Sequence, residues 1–375
     1  MRKIAYIHEL QGWPELSWQR EVLAETLAAV RHEQGWLIGR MEGLGFQLRQ
    51  EADLETVTAD VLKSSEIEGE KLDAAQVRSS VARKLGLETG ALPAVDRNVE
   101  GVVEMMLDAT RNYDQPLTAE RLFDWHAALF PTARSGMRRI RVGAWRDDSR
   151  GPMQVVSGRI GKEKIHYEAP PAARIPGEMQ RFLDWFNSQE ERDWVVGAAL
   201  AHLRFVTVHP FEDGNGRIAR AIADIALARS ERSPQRFYSM STQIQREREG
   251  YYAILERTQK GGLDVTPWME WFLVCLGQAI EGAQSTLETV LFKARFWESV
   301  SAATLNERQR TVLTRLLDGF EGKLTTSKWA KLTKSSQDTA ARDITRLIEQ
   351  GILVRNAGGG RSTSYSLAAH GDFRP

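Results

Sequence analysis

The stretch that decides the fold is His209-Pro-Phe-Glu-Asp-Gly-Asn-Gly-Arg-Ile-Ala-Arg220. Residues 194–206 before it and 216–229 after it are mostly apolar at helical spacing, so the segment reads as a tight loop joining two buried helices. Pro210 cannot continue a helix, and Gly214 and Gly216 let the backbone come close to a ligand. The amides of Gly214, Asn215 and Gly216 at the start of the second helix make an anion site, because unpaired N–H groups and the helix dipole both favour negative charge. Arg217 and Arg220 lie three apart and reach the same side of that first turn. Asp213 beside a phosphate site suits Mg²⁺, or Mn²⁺ in its place, since such ions take one or two carboxylates plus phosphate oxygens. His209 opens the loop and can accept a proton from an attacking hydroxyl. Base, metal carboxylate, anion cradle and cationic clamp are the parts of a phosphoryl or nucleotidyl transferase. Other motifs fail on spacing: a P-loop needs Gly-Lys-Ser/Thr, an EF-hand loop has no place for Arg217 and Ile218, and His8-Glu9 is followed by Gly12 where a zincin needs histidine.

The 375 residues suggest two or three domains, and 42% apolar with 27% charged residues is ordinary for a globular protein with a substantial core. Lysine and arginine equal aspartate and glutamate at 50 each, but residues 304–375 carry 12 basic against 7 acidic side chains, a basic module on a mildly acidic body. The single cysteine, Cys275, excludes an internal disulfide and a cysteine zinc cluster. The N-terminus lacks an apolar signal core, and no apolar run reaches the roughly 18–20 residues that span a bilayer. A soluble, cytoplasmic protein with no membrane partner is expected.

Helical periodicity predicts helices over 16–41, 54–66, 73–85, 96–113, 118–129, 176–189, 194–206, 216–229, 246–258, 267–291 and 306–318, with N-caps at Thr118 and in Thr56-Val-Thr58. Strand signals are confined to a hairpin over 154–167 and a second over 352–355 and 363–367 with Gly358-Gly359-Gly360 at its tip. The expected fold is therefore mainly α. Its divisions are 1–95, an N-terminal helical region; 96–300, a catalytic core; and 301–375. In the last, a helix, a helix–turn–helix and a basic hairpin follow in the order of a winged helix-turn-helix module. Ser336–Arg346 would enter a major groove, with Ser336, Gln337, Thr339 and Arg342 facing DNA and Arg355 and Arg361 touching phosphate or the minor groove. Such modules also dock proteins or dimerise.

At residues 209–220 the sequence resembles the Fic family, whose signature HPFx(D/E)GNGRxxR is met at every specified position. The resemblance implies a Fic-type helical bundle that moves AMP from ATP to a Ser, Thr or Tyr hydroxyl of a protein, or of itself, releasing pyrophosphate. It implies that His209 deprotonates the hydroxyl and Asp213 holds the metal. The Gly214–Gly216 segment with Asn215 and Arg217 would bind the α- and β-phosphates, and Arg220 the γ-phosphate. The hairpin over 154–167 resembles the family's flap, whose edge around Met153, Gln154, Val155 and Val156 would register an extended target by strand addition. Tyr251-Tyr252-Ala-Ile-Leu255 resembles the adenine-binding helix, with Gln259 within reach of the base edge.

Ser64-Ser-Glu-Ile-Glu68-Gly69 matches the family's inhibitory motif, (S/T)xxxE(G/N), in the N-terminal position of its class II members. That implies a Glu68–Arg220 pair in competition with the γ-phosphate, at the end of a helix capped by Gly69. In some relatives the matching glutamate also supports AMP removal. Two other readings stand beside this one: a DNA-binding regulator whose Fic core senses nucleotide, and a Fic enzyme with another phosphate-group donor. A homodimer is a further expectation, since class II relatives often dimerise.

Overall fold

The computed structural model describes residues 6–87, 95–158, 164–188, 193–300, 304–320, 322–356 and 363–368. Arg361 and the triglycine at 358–360 lie outside them. The chain is mainly α. In order come α1 (Arg20–Glu42), α2 (Phe46–Ile67), α3 (Ala74–Lys84), α4 (Arg97–Arg111) and α5 (Ala119–Leu129), then two short hairpins, β1 (Arg134–Ser135) with β2 (Arg138–Arg139) and β3 (Gln154–Ser157) with β4 (Lys164–Glu168). There follow α6 (Ile175–Asn187), α7 (Trp194–Val208), α8 (Asn215–Glu231), α9 (Met240–Arg246), α10 (Arg248–Gln259) and α11 (Thr266–Ser299). The chain ends with α12 (Glu307–Leu317), α13 (Thr326–Leu332), α14 (Gln337–Glu349) and the hairpin β5 (Leu353–Arg355) with β6 (Tyr365–Leu367). Among the described residues no helix is long and apolar enough to cross a membrane.

The chain forms two compact units, Met1–Thr286 and Leu287–Pro375, and the divide falls inside α11. In the first unit α7 is the axis. Every residue from Val195 to Val208 is buried, as expected of a helix that is apolar all round. Asp193 Oδ1 caps it by accepting from Val195 N–H at 3.0 Å. Next to it α8 is buried along nearly its whole length, and α4, α5, α2 and α1 pack around α8 while α6 covers α7. Trp268 of α11 donates from Nε1 to the Ala199 carbonyl at 2.9 Å, so that helix also closes on α7. Fully buried side chains such as Phe205, Phe211 and Ile218 each contribute about 1.5–3 kcal/mol through removal of apolar surface from water.

Three expectations change. Thr56-Val-Thr58 is no cap but lies inside α2, which begins at Phe46, eight residues before the expected start at Leu54; the mostly polar start of that helix hid it. The helix expected over 246–258 is α10, and a short helix, α9, precedes it, the two parted by a backbone break at Glu247 (φ −108°, ψ 28°). α9 itself was not foreseen, although Ser239 caps it with its hydroxyl on Thr242 N–H at 3.0 Å. Helix α11 also runs on to Ser299 rather than stopping near Leu291.

The second unit packs α12, α13 and α14 on a core of Val312, Leu313, Trp329, Ile344, Leu347 and Leu353. Tyr365 N–H bonds the Leu324 carbonyl at 2.9 Å, tying the terminal hairpin to the segment before α13. Asn306 and Gln309 form a reciprocal capping box that starts α12.

Gly101 marks the closest helix contact in the first unit: a β-carbon there would overlap the Ala128 carbonyl on α5. Helix propensity alone would make Gly101→Ala stabilising by about 1 kcal/mol. The overlap reverses the sign, and the variant is expected to lose about 1–3 kcal/mol in thermal or urea unfolding; a Tm equal to or above wild type would refute the close approach.

Candidate active site

The loop between α7 and α8 is shaped by its own backbone. Helix α7 ends where His209 takes a left-handed conformation (φ 51°, ψ 58°), a strained choice for a residue with a side chain, and Pro210 follows. Gly214 is also left-handed (φ 78°), and a β-carbon on it would press against the Phe130 ring. Asn215 locks the turn: its Oδ1 accepts from Phe211 N–H at 3.0 Å and its Nδ2 donates to the Phe211 carbonyl at 2.8 Å. The Asn215 side chain is thus engaged in holding the loop, while its backbone N–H stands at the helix end. Helix α8 has no side-chain cap, and its first intrahelical bond runs from Ile218 N–H to Gly214 O at 3.0 Å. The amides of Asn215, Gly216 and Arg217 precede that bond and point out of the helix end.

His209 is half-buried at the mouth of this turn. Its Nδ1 lies 3.2 Å from the Val206 carbonyl. A carbonyl only accepts, so Nδ1 carries the proton and a neutral ring keeps its lone pair on Nε2. Burial lowers its pKa to about 4 despite the Val206 bond, so the ring is neutral at ordinary pH. Asp213 places one carboxylate oxygen on the Ser135 hydroxyl and the other 2.6 Å from Gly214 N–H, and it stays half-exposed beside the helix end.

Both arginines of the turn meet carboxylates from the end of α2. Arg220 is 2% exposed. Its Nε donates to Ser64 Oγ at 2.9 Å, and its Nη2 to the Ser64 carbonyl at 2.9 Å and to Glu68 Oε1 at 2.8 Å. Burial works against its charge, but the Glu68 carboxylate outweighs that and raises its pKa. Its Nη1 is buried with no hydrogen-bond partner and faces Gly216. The Glu68 carboxylate itself lies over the helix end, where a β-carbon on Gly216 would overlap Oε1. Arg217 donates from Nη1 to Glu70 Oε2 at 2.7 Å and rests over the Phe130 ring.

The end of α2 is built to deliver these groups. Gly69 turns left-handed (φ 84°), Gly69 N–H bonds Glu66 O at 3.0 Å and Glu70 N–H bonds Ser65 O at 3.0 Å, the paired bonds of a Schellman cap. That reversal carries Glu70 back alongside Glu68. The Ile67 carbonyl is then gripped from α10 by Arg248 Nε at 2.7 Å and Tyr252 Oη at 3.1 Å.

Two contributors escaped the sequence reading. Glu70 could have been found, since it is the first residue past the cap. Arg146 could not, because nothing distinguishes it within an arginine-rich segment. Its side chain is fully buried. It donates from Nε to the His209 carbonyl at 2.7 Å, from Nη2 to the Pro170 carbonyl at 2.5 Å and from Nη1 to Asp148 at 2.9 Å, while its own N–H holds Pro210 O at 2.9 Å. Below the loop, His126 stacks on Phe211 with centroids 4.2 Å apart.

The residues expected around adenine are split. Tyr251 is 2% exposed, its hydroxyl is bonded to His202 Nε2 at 2.9 Å, and its ring packs among His202, Tyr252 and Trp271, which leaves no face for a base. Gln259 is buried too, with Nε2 toward Val206 O and Thr207 Oγ1. Tyr252 alone of the three reaches the surface, at 39%. Gln154, Val155 and Val156 lie on β3, and Met153 just precedes it, its carbonyl accepting from Ala169 N–H at 2.9 Å. That strand pairs antiparallel with β4 in the register Gln154↔Glu168, with a bulge between Val155 and Val156. Tyr167 of β4 anchors the hairpin by donating to Thr207 O at 2.7 Å. In the second unit Gln337 and Arg342 are exposed on α14, Ser336 is its N-cap, Thr339 is half-buried, and Arg355 is exposed on β5.

Residues 116–227 match the model of the Fic/DOC family. The chain carries a Fic domain. Residues 6–87 match a domain of unknown function (DUF4172), and residues 308–365 a DeoR-like helix-turn-helix domain. Over 135 residues the Fic domain region is 33% identical to the protein adenylyltransferase Fic of Drosophila willistoni, covering 34% of this chain and 25% of that protein. The Culex quinquefasciatus protein of the same name is 24% identical over 243 residues, 61% of this chain and 42% of the relative. The chain thus spans between a quarter and under half of the length of these relatives. In fold it is similar to a Fic family protein from Desulfovibrio desulfuricans G20 (TM-score 0.50, 20% identity, 93% of this chain and 97% of that one). It is likewise similar to residues 134–508 of Fic-1 from C. elegans (TM-score 0.50, 22% identity, 72% and 74%).

The histidines of the Fic domain give a pH signature. Burial lowers His126 and His209 to about 4 and His202 to about 3. The folded values lie below the unfolded one, so between about pH 4 and 6.5 the unfolded chain binds more protons, and stability is lost as pH falls through that window. The slope is at most about 1.4 kcal/mol per pH unit per histidine. Asp53 and Asp224, both raised mainly by burial, oppose it without cancelling it. Proton NMR should therefore show these three rings unprotonated at pH 5.5; three ordinary titrations near 6.5 would overturn their burial.

Proposed function

We propose that the chain is a protein adenylyltransferase held inactive by its own α2 end. The observation that carries this is the Arg220 site: a buried guanidinium with an unpartnered Nη1, aimed at an uncapped helix end that a carboxylate already covers. A carboxylate and a phosphate compete for the same donors, so Glu68 and the γ-phosphate of ATP cannot both occupy them. The α- and β-phosphates would lie on the amides of Asn215, Gly216 and Arg217. Asp213 fits Mg²⁺, a hard cation, because its half-exposed carboxylate stands at the edge of the anion site and keeps lone pairs beyond those on Ser135 and Gly214. When bound, the ion would neutralise phosphate charge.

In the reaction His209 Nε2 takes the proton of a target Ser, Thr or Tyr hydroxyl. The oxygen attacks the α-phosphorus, a new P–O bond forms, and the bond to the β-phosphate oxygen breaks to release pyrophosphate. The protein's part is positioning: the Val206 carbonyl fixes the tautomer and Arg146 fixes the backbone of His209. β3 would align the target as an added strand. AMP removal with Glu68 orienting a water would use the same groups.

Glu68→Gly should raise self-AMP transfer by at least about tenfold, and His209→Ala in that background should abolish it; the transfer barrier need fall by only about 1.4 kcal/mol for each tenfold. Glu70→Gln alone should give a smaller rise through Arg217. Mg²⁺ with ATP should also raise the Tm of Glu68→Gly more than that of wild type, because binding at about 100 Kd adds about 2.7 kcal/mol only where the site is open. Equal labelling and equal Tm shifts in the two proteins would sink the brake.

The helix-turn-helix supports a second role. We infer that α14 enters a DNA major groove with Gln337 and Arg342 outward and Arg355 on the backbone. Arg342→Ala should weaken a gel shift by about tenfold at fixed salt. No shift by wild type at low salt would leave the module to protein contacts.

A further inference from the structure

The segment between α5 and β3 is unusually basic. Residues 131–152 hold six arginines, no lysine and two aspartates. Arg146 is buried and paired with Asp148, so the exposed arginines 134, 138, 139, 141 and 150 share Asp147. The loop at 209–220 adds one carboxylate, Glu212, and it is over-subscribed. Its Oε2 alone serves Arg138 Nη2 at 3.2 Å and Arg150 Nη1 at 3.4 Å, while Oε1 takes Arg141 N–H at 3.3 Å. Among the described residues Arg134 and Arg139 pair with no carboxylate. Guanidinium donors therefore outnumber the acids facing them.

This charge borders a groove of about 520 Å³. Arg138 and Arg150 line it with Met153, Gln154, Val156 and Ile165, and so do two carboxylates, Glu212, which both arginines share, and Asp147, which Arg141 already holds. β3 has β4 on one side and no second strand partner among the described residues, so its other edge can take an extended chain. Met153, Val156 and Ile165 give the groove an apolar strip.

We propose that this groove selects targets whose modified hydroxyl sits in an extended acidic segment. The inference rests on the transferase reading and names its substrate class. Strand addition supplies backbone bonds whatever the sequence, so discrimination must come from side chains along the groove. A carboxylate entering it replaces the shared, monodentate Glu212 contacts with a bidentate fork on Arg138 or Arg150. Each such pair at an exposed rim adds little alone, but several together set partner preference and encounter rate. A lysine-bearing segment would meet like charge. The apolar strip beside an open strand edge suits a polypeptide better than a polynucleotide.

The test uses full-length Glu68→Gly protein with short peptides that each hold one tyrosine, flanked by Asp/Glu, by their amides, or by Lys. AMP transfer is read by mass spectrometry, and binding by fluorescence anisotropy at low and high salt. The acidic peptide should be modified about tenfold faster than its amide twin and bind more tightly, with salt erasing the difference. Arg138→Glu with Arg150→Glu should move the preference to the lysine peptide. Equal transfer and equal binding of acidic and amide peptides would overturn the proposal while self-labelling still upheld the transferase. No transfer to any peptide or to the protein would remove the transferase reading, and the anisotropy preference would still decide the groove. Displacement by a DNA oligonucleotide but by no peptide would assign the groove to nucleic acid instead.

Discussion

A guanidinium with 2% of its surface exposed must be answered by acceptors, and that demand at Arg220 organises the first unit. Leaving such a charge unpaired costs roughly 3–5 kcal/mol. The fold supplies the Ser64 hydroxyl, the Ser64 carbonyl and the Glu68 carboxylate, all from the last turns of α2. The end of α2 therefore has to reach the start of α8, and the Schellman turn at Gly69 with the grip of α10 on Ile67 keeps it there. One carboxylate oxygen is the exchangeable member of the set. Ser64 holds the guanidinium through Nε and Nη2 independently of that carboxylate.

A second buried arginine does the complementary task. Arg146 has no carboxylate at the catalytic turn; it holds the carbonyls of His209 and Pro170 and the backbone of Pro210. Those acceptors belong to the loop that bears His209 and to the chain just after β4, so the hairpin and the histidine are set against one another by one planar group. Lysine could not replace it, since a single ammonium lacks the fork that spans two carbonyls and an aspartate. The left-handed His209 is tolerated because this clamp, the Asn215 side chain and the Phe211 packing over-determine the turn.

How much of this could be read beforehand follows from how local each signal is. The motif at 209–220 was legible because loop geometry, helix end and charge all lie within twelve residues. Most helices were legible for the same reason, their periodicity being a property of neighbours. The Glu68–Arg220 pair was legible only through the resemblance of residues 64–69 to a family motif, since the string is too short to speak alone. What escaped depends on distant chain segments. Tyr251 looked like a surface platform until α7 and α11 were packed on both sides of it. Arg146 resembled five neighbouring arginines, and only burial tells it from them. The start of α2 was missed because its first turns are polar and its apolar face appears only later.

The same reasoning explains why the catalytic turn needs so few residues of its own. Its amides are supplied by the helix, its strain is held by Asn215 and Arg146, and its tautomer is fixed by the Val206 carbonyl one turn back. Phe211 adds apolar packing, its ring lying fully buried against His126. Asp213, Arg217 and Arg220 each also tie the turn to its surroundings, through Ser135, through Glu70 and the Phe130 ring, and through Ser64. Of the contacts that reach these side chains from β1 and from the end of α2, the Glu68 carboxylate is the one that lies over the helix end.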